Sequence, residues 1–353
     1  MDLSLKNKEW KEFKIADIFI VENSKAYHKK NLYPTKNIGI SYISRTKFNN
    51  GLEDIVETNT NLQINPENTI VFGAENAMFF YQPNRYITGN KMYVIKSNMI
   101  NKYSGLFIKM MLDKSIKNSG FGYGKGLTGT RLKNRYVKLP INKYGEPDYE
   151  FMETYMRNKE QERINAYINY ITARIKKLEK TKPVIPLKEK KWKEFFINEI
   201  FEQIQRGKRL KKSDHIPGKI PYVSSTAFNN GIDDFIGNKN NVRIFSNCIS
   251  IANSGSVGAS FYHPYKFIAS DHVTKLENKS FNKHIYLFLS TITKRLGEKY
   301  SFNREISDKR IKREKILLPI NDENLPDYEY MENYMKNLEL ERLKKYLKYK
   351  MDN

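Results

Sequence analysis

The side chains best suited to catalysis are few and badly placed for it. Histidines stand at 28, 215, 263, 272 and 284, with no spacing that would bring imidazoles to one metal ion. Cys248 is the single cysteine, which excludes an internal disulfide or a cysteine-rich zinc site and fits a reducing cytoplasm. In its strand-like run it reads as a small core residue. The stretch GFGYGKG at 120–126 matches neither GxxxxGK[ST] nor a strand–GxGxxG–helix context, and reads as a mobile loop. Pro147-Asp148 and Pro326-Asp327 lack the ExK partner of a nuclease motif and read as helix starts, with proline in the first turn. The Asn/Asp-Pro-Pro-aromatic motif of amino-methyltransferases does not occur. No catalytic residue, metal or cofactor is expected.

The chemistry on offer is that of DNA recognition. Lys125, Thr128, Thr130 and Arg131 follow the glycine run, and Asn303, Arg304, Lys309 and Arg310 occupy the corresponding place further on. Arginine and lysine read guanine, asparagine reads adenine, and hydroxyls and amines hold phosphates. Arg45 and Lys47 with Arg85, and Ser225 and Thr226 with His263, follow the central strands and are further DNA-binding candidates.

These residues fall in register because the chain contains itself twice. LPINKYGEPDYEFMETYM at 139–156 returns as LPINDENLPDYEYMENYM at 318–335. KEWKEFKIADIF from Lys8 returns from Lys190, and SYISRTKFNNGL from Ser41 returns as PYVSSTAFNNGI from Pro221. A period near 180 residues is a duplicated domain, far too long for a solenoid repeat. Each copy shows short strand-type runs, Asn-Asn-Gly turns at 49–51 and 229–231, and an apolar helical stretch (103–112 and 285–296). The expected fold is α+β: two tandem mixed α/β recognition domains joined by two long antiparallel helices with pseudo-twofold symmetry.

The spacing predicts a recognition domain over 1–146, a spacer helix over 147–180, a linker over 181–191, a second recognition domain over 192–325 and a second spacer helix over 326–353. Ile164, Ile168, Ile171, Ile175 and Leu178 are spaced as a heptad seam, and Leu343, Leu347 and Lys350 share its phase in the second copy. A helix of about 30 residues is roughly 45 Å long, more than one small domain can cover. Charge follows the same division. Of the net +23, residues 148–180 carry +1 and residues 327–353 carry none, which leaves +22 on the remainder. Only 15 of 62 basic residues are arginine, a lysine bias that codon usage would spread evenly, so a surplus confined to the domains reads as a nucleic-acid footprint. No apolar run approaches the roughly 18 residues that span a membrane, and no membrane partner is expected.

The Trp10 and Trp192 segments, Tyr42-Ile43-Ser44 and Tyr222-Val223-Ser224 with their Asn-Asn-Gly turns, Leu139-Pro140 and Leu318-Pro319, and the helices after Pro147 and Pro326 together resemble the specificity (S) subunits of restriction–modification systems, essentially end to end. The resemblance implies two target-recognition domains, each reading half of a bipartite double-stranded DNA sequence, and helices that space them. It also implies docked methyltransferase subunits, and a chain that catalyses nothing itself. Many type I members follow Leu-Pro with Pro-Leu…Glu-Gln; here Pro-Asp-Tyr-Glu-aromatic-Met-Glu stands in its place, a variant more like type IIB-like subunits partnered by a fused methylase–nuclease chain. Phe151, Met152, Tyr155, Met156 and Tyr330, Met331, Tyr334, Met335 are more apolar than a spacer seam needs and are the candidate partner surface, with packing on the adjoining domain as the other reading. A standalone DNA-binding regulator, or a phage decoy that blocks methyltransferases, is the rival function.

Overall fold

A computed structural model describes residues 4–122, 124–301 and 304–352. It divides into two compact units, the boundary falling between Tyr167 and Ile168 inside a long helix.

In the first unit, Trp10–Lys14 pairs antiparallel with Tyr136–Pro140, so the beginning and end of the recognition domain lie side by side. Between them, Ile20–Asn23, Met92–Lys96, Thr69–Gly73 and Phe79–Gln82 form a four-stranded antiparallel sheet in that order. Leu52–Val56, Ile40–Ile43 and Tyr86–Thr88 form a second sheet, whose last pair is parallel. Helix α1 (Lys102–Ile116) starts on Asn101, whose side chain accepts from the Tyr103 and Ser104 amides, and buries Phe107, Ile108 and Leu112 against the larger sheet.

Asn49, Asn50 and Gly51 all take positive φ, with Gly51 at 78°, as the sequence of the turn demands. The turn covers the open edge of the larger sheet: Asn50 Nδ2 donates to the Tyr81 carbonyl at 2.7 Å and Gln82 Nε2 donates to the Asn50 carbonyl at 3.0 Å. Exposed strand edges invite pairing with other chains, and this one is blunted.

Helix α2 spans Tyr149–Leu178, 30 residues. Its start differs from the sequence expectation. Pro147 stands outside the first turn, in a β-bridge to Ile141, and Asp148 is the cap, its Oδ1 accepting from the Phe151 amide at 3.0 Å. Lys8 ties the same carboxylate to the first strand at 2.6 Å. The second unit repeats the arrangement with Asp327, Tyr330 and Lys190.

That unit rebuilds each sheet and adds a short strand, Ile244–Phe245. Helix α3 (Lys283–Lys294) matches α1, and α4 (Tyr328–Asp352) matches α2. Cys248 is buried opposite His263, and burial pushes its thiol up to about 12, so it is inert packing.

Aromatic contacts join each long helix to its domain. Trp10 stacks on Phe107 at 6.2 Å, Phe107 meets Tyr155 edge-on at 5.9 Å, and Tyr155 stacks on Phe151 at 6.0 Å. Trp192, Phe288, Tyr334 and Tyr330 repeat the chain at 6.3, 5.9 and 6.1 Å. Met152 and Met331 lie beneath, with no exposed surface. Truncating either to alanine removes packing on every side and should cost about 2–5 kcal/mol, read as a lower denaturation midpoint; Phe151→Ala, at a half-exposed site, should cost clearly less.

Candidate nucleic-acid interface

Strand direction decides which loops meet. Ile40–Ile43 and Thr69–Gly73 end, and Met92–Lys96 begins, at the same end of the first unit. Four loops gather there, each pinned by backbone. The Gly89 amide donates to Ile43 at 2.8 Å, Ala74 to Lys91 at 3.0 Å and Leu127 to Ala74 at 2.8 Å, while Asn76 Nδ2 donates to the Arg45 carbonyl at 2.8 Å. The second unit reproduces this crown: Ser270 donates to Val223 at 3.0 Å, Asn253 to His272 at 2.8 Å, Ile306 to Asn253 at 3.0 Å and Ser256 to Ser225 at 3.0 Å.

The crown collects several of the residues singled out from the sequence. In the first unit these are Arg45, Lys47, Lys125 and Thr128. Arg45 pairs with Glu75, whose other oxygen meets Lys91 Nζ at 2.6 Å. Lys125 is exposed and lies 5.5 Å over the Phe121 ring. Thr128 caps a short helical turn, its Oγ1 accepting from the Arg131 amide, while the Arg131 guanidinium donates to the Gly126 carbonyl at 2.5 Å. Ser307 and Arg310 repeat this, Arg310 donating to the Glu305 carbonyl at 2.8 Å. Thr130, Lys47, Arg304 and Lys309 are exposed, and the Arg304 guanidinium lies 5.3 Å from the centre of the Tyr300 ring. Ser225 abuts Gly255, and the Thr226 hydroxyl accepts from the Phe228 amide at 3.2 Å. Asn303 lies outside the described residues.

Two expectations are corrected. Arg85 is exposed but sits beside the start of Ile40–Ile43, since Tyr86–Thr88 runs parallel to that strand; this is the opposite end from Arg45. His263 likewise ends a strand antiparallel to Cys248–Ala252 and so lies at the far end from Ser225. It has no exposed surface, contacts Ser250 Oγ at 2.8 Å and lies 4.5 Å from Phe267; burial pulls its imidazole down to about 4. A neutral buried ring does not touch DNA.

Sequence reasoning missed Glu75, Lys91, Ser254 and His272, which complete the two crowns. No local spacing marks them, because their partners lie at least 16 residues away. The first loops differ between the copies. A side chain at Gly207 would strike the Ser270 carbonyl at 2.1 Å, whereas Ser24, at the matching place, bonds Thr88 at 2.6 Å and Asn65 at 2.8 Å.

For the partner surface, packing on the adjoining domain accounts for Met152 and Met331, which are buried; Tyr330 is buried too, its hydroxyl donating to the Ile185 carbonyl of the linker at 2.9 Å. Phe151, Tyr155, Met156, Tyr334 and Met335 keep part of their surface.

Within the second unit, the tail of α2 meets α4. Ile171 and Leu178 are buried, and Ile175, Leu343 and Leu347 half-buried. The partners of 174, 182 and 185 are 339, 337 and 330, the reversed order of antiparallel segments. Arg174 grips Glu339 with two bonds of 2.9 Å, His284 Nε2 lies 2.7 Å from the same carboxylate, and Lys283 lies 3.6 Å away.

Among the described residues, no helix is long and apolar enough to cross a membrane, and no three carboxylate, imidazole or thiol groups gather as metal ligands.

Comparison with known proteins places this geometry. The profile of the type I restriction modification DNA specificity domain matches residues 7–170 and again 189–348. The chain belongs to that family, with two copies of its domain. The specificity subunit S.BcgI of a type II restriction enzyme from Heyndrickxia coagulans is 32% identical over 335 residues, covering 94% of this chain and 95% of the relative. Among solved structures, the S subunit of a type I restriction-modification system from M. genitalium aligns over 99% of this chain and 94% of its own, at 17% identity and a TM-score of 0.46. The HsdS subunit from Thermoanaerobacter tengcongensis aligns over 96% and 91%, at 12% identity and a TM-score of 0.32. This protein is a DNA specificity subunit of a restriction–modification system.

The helix clasp has a defined pH response. Arg174 above all holds Glu339 down at about 2, against an ordinary 4.5, while burial outweighs the carboxylate and lowers His284. Both groups have depressed values in the fold, so the stability they contribute is present near neutral pH and lost on acidification, for Glu339 as pH falls from 4.5 toward 2. Melting temperature followed through that window should drop more steeply for the natural chain than for Glu339→Gln.

Proposed function

We propose that each unit reads one half of a bipartite double-stranded DNA target, that the paired helices set the distance between the halves, and that the chain contributes no catalytic group of its own. The carrying observation is the pair of crowns: the same backbone scaffold in both units presents different side chains, as two readers of different sequences need. Lys47, Lys125, Thr130, Arg131, Thr226, Arg304, Lys309 and Arg310 hold phosphates or base edges around each crown. A surplus of +22 outside the long helices would make binding fall steeply with salt.

On this reading the recognition domains occupy 1–146 and 192–325, the spacer helices 147–180 and 326–353, and the linker 181–191. Methyltransferase subunits, or a fused methylase–nuclease chain, dock at the roots of the helices, where Phe151, Tyr155, Met156, Tyr334 and Met335 keep apolar surface. The type II designation of the relative from Heyndrickxia coagulans supports the fused form. The complex works in the cytoplasm, beside the chromosome it marks.

Purified alone, the chain should bind DNA in a salt-dependent way and neither methylate nor cut it; activity of the isolated chain would overturn the non-catalytic role. Removing one heptad from each long helix shortens a spacer by about 10 Å, or about three base pairs. Methylated sites of the reconstituted complex should then show a correspondingly shorter gap between unchanged half-sites, and an unchanged gap would refute the ruler.

A further inference from the structure

The shared backbone bonds put three positions of one crown in register with three of the other. In the first unit they hold Arg45, Glu75 and Lys91; in the second, Ser225, Ser254 and His272. The contacts are matched as well as the places. Glu75 meets Lys91 at 2.6 Å, and Ser254 Oγ meets His272 Nδ1 at 2.6 Å. Position 45 or 225 offers its carbonyl to the neighbouring loop in both. The scaffold is adjusted to the side chains it carries. Gly73 leaves room for the Arg45 stem, since a Cβ there would lie 2.8 Å from Arg45 Cγ; the matching residue beside the smaller Ser225 is Ala252. All three first-unit side chains keep access to solvent: 34% of Arg45, 29% of Glu75 and 56% of Lys91.

Glu75 is the informative member. A carboxylate on a strongly basic face that meets DNA is repelled by phosphate, so its favourable partner there is a base amine. Cytosine N4 and adenine N6 are the amines in the major groove, and the adjoining Arg45 prefers guanine O6 and N7. One base pair offers those acceptors and that donor side by side. Resting on the bipartite reading above, we infer that positions 45, 75 and 91, with 225, 254 and 272, are the specificity-determining set of the two units, and that the first set reads a G·C pair. Arg45 donates to guanine, Glu75 accepts from cytosine N4, and Lys91 holds the Glu75 carboxylate in place. In the free chain Arg45 and Glu75 neutralise one another, so neither charge waits unpaired. The second set is uncharged at 225 and 254 and so reads a different pair.

The test is the methylation pattern of the complex reconstituted with its own methyltransferase partner. Glu75→Gln is nearly isosteric, and Arg45→Ser installs the residue of the second unit; both should melt close to the natural chain. Each should relax one G·C position in one half-site, with about tenfold to hundredfold loss of discrimination there, while the other half-site and the gap stay as they were. A motif identical to the natural one in both variants overturns the specificity set. Uniform weakening at all sites makes these phosphate contacts and overturns it as well, and relaxation at an A·T position overturns the base assignment. If the natural complex itself yields no bipartite motif, the function proposed above fails first, and this inference with it.

Discussion

Everything in this chain depends on the aromatic weld between each recognition domain and its long helix. A 30-residue helix has little intrinsic reason to stand at a fixed angle to the domain it leaves. The Trp10–Phe107–Tyr155–Phe151 series supplies one, joining the first strand, the domain helix and the long helix through rings whose separations recur within about 0.1 Å in the second copy. Offset and edge-on ring contacts add geometry to the apolar burial they provide. The buried Met152 and the salt bridge from Lys8 to the capping Asp148 reinforce the same joint. A reader can only be indexed to a spacer if the connection between them does not swivel.

The two halves keep what must be rigid and vary what must discriminate. The joint and the Arg131/Arg310 clasps recur contact for contact in both. Variation is concentrated in the crown and first loops, where a loop of five residues between Gly73 and Phe79 becomes one of seven between Ala252 and Ser260. The helix clasp shows a gentler divergence. Glu160 accepts from Lys102 and Tyr103, and its counterpart Glu339 from His284 and, across the helix pair, from Arg174.

Much of this was legible because it is periodic or local. The repeat, the heptad spacing that packs Ile171, Ile175 and Leu178, and the Asn-Asn-Gly turns all announce themselves within a few residues. The position of Pro147 missed by one turn position because a tertiary bridge to Ile141 holds it extended. The crown was only half legible: Arg45 and Ser225 follow recognisable strands, but Glu75, Lys91, Ser254 and His272 reach them through long-range pairing. Arg85 and His263 failed for the converse reason. Being next to a strand says nothing about which end of the sheet that strand has reached, and antiparallel reversal carried both to the wrong one. The apolar residues at the helix roots could not be divided into buried and available from spacing alone, because Met152 and Phe151 are chain neighbours with opposite environments.

The pairing of Trp10–Lys14 with Tyr136–Pro140, and its counterpart in the second copy, puts the entry and exit of each reader on adjacent strands. Such a module is plugged in through one two-stranded socket. Genetic exchange with breakpoints in the sequences encoding those strands would replace an entire half of the target in a single step, and the welded rod would accept the incoming cassette without being rebuilt. A bacterium holding several such cassettes could change the sites it protects far faster than by point mutation.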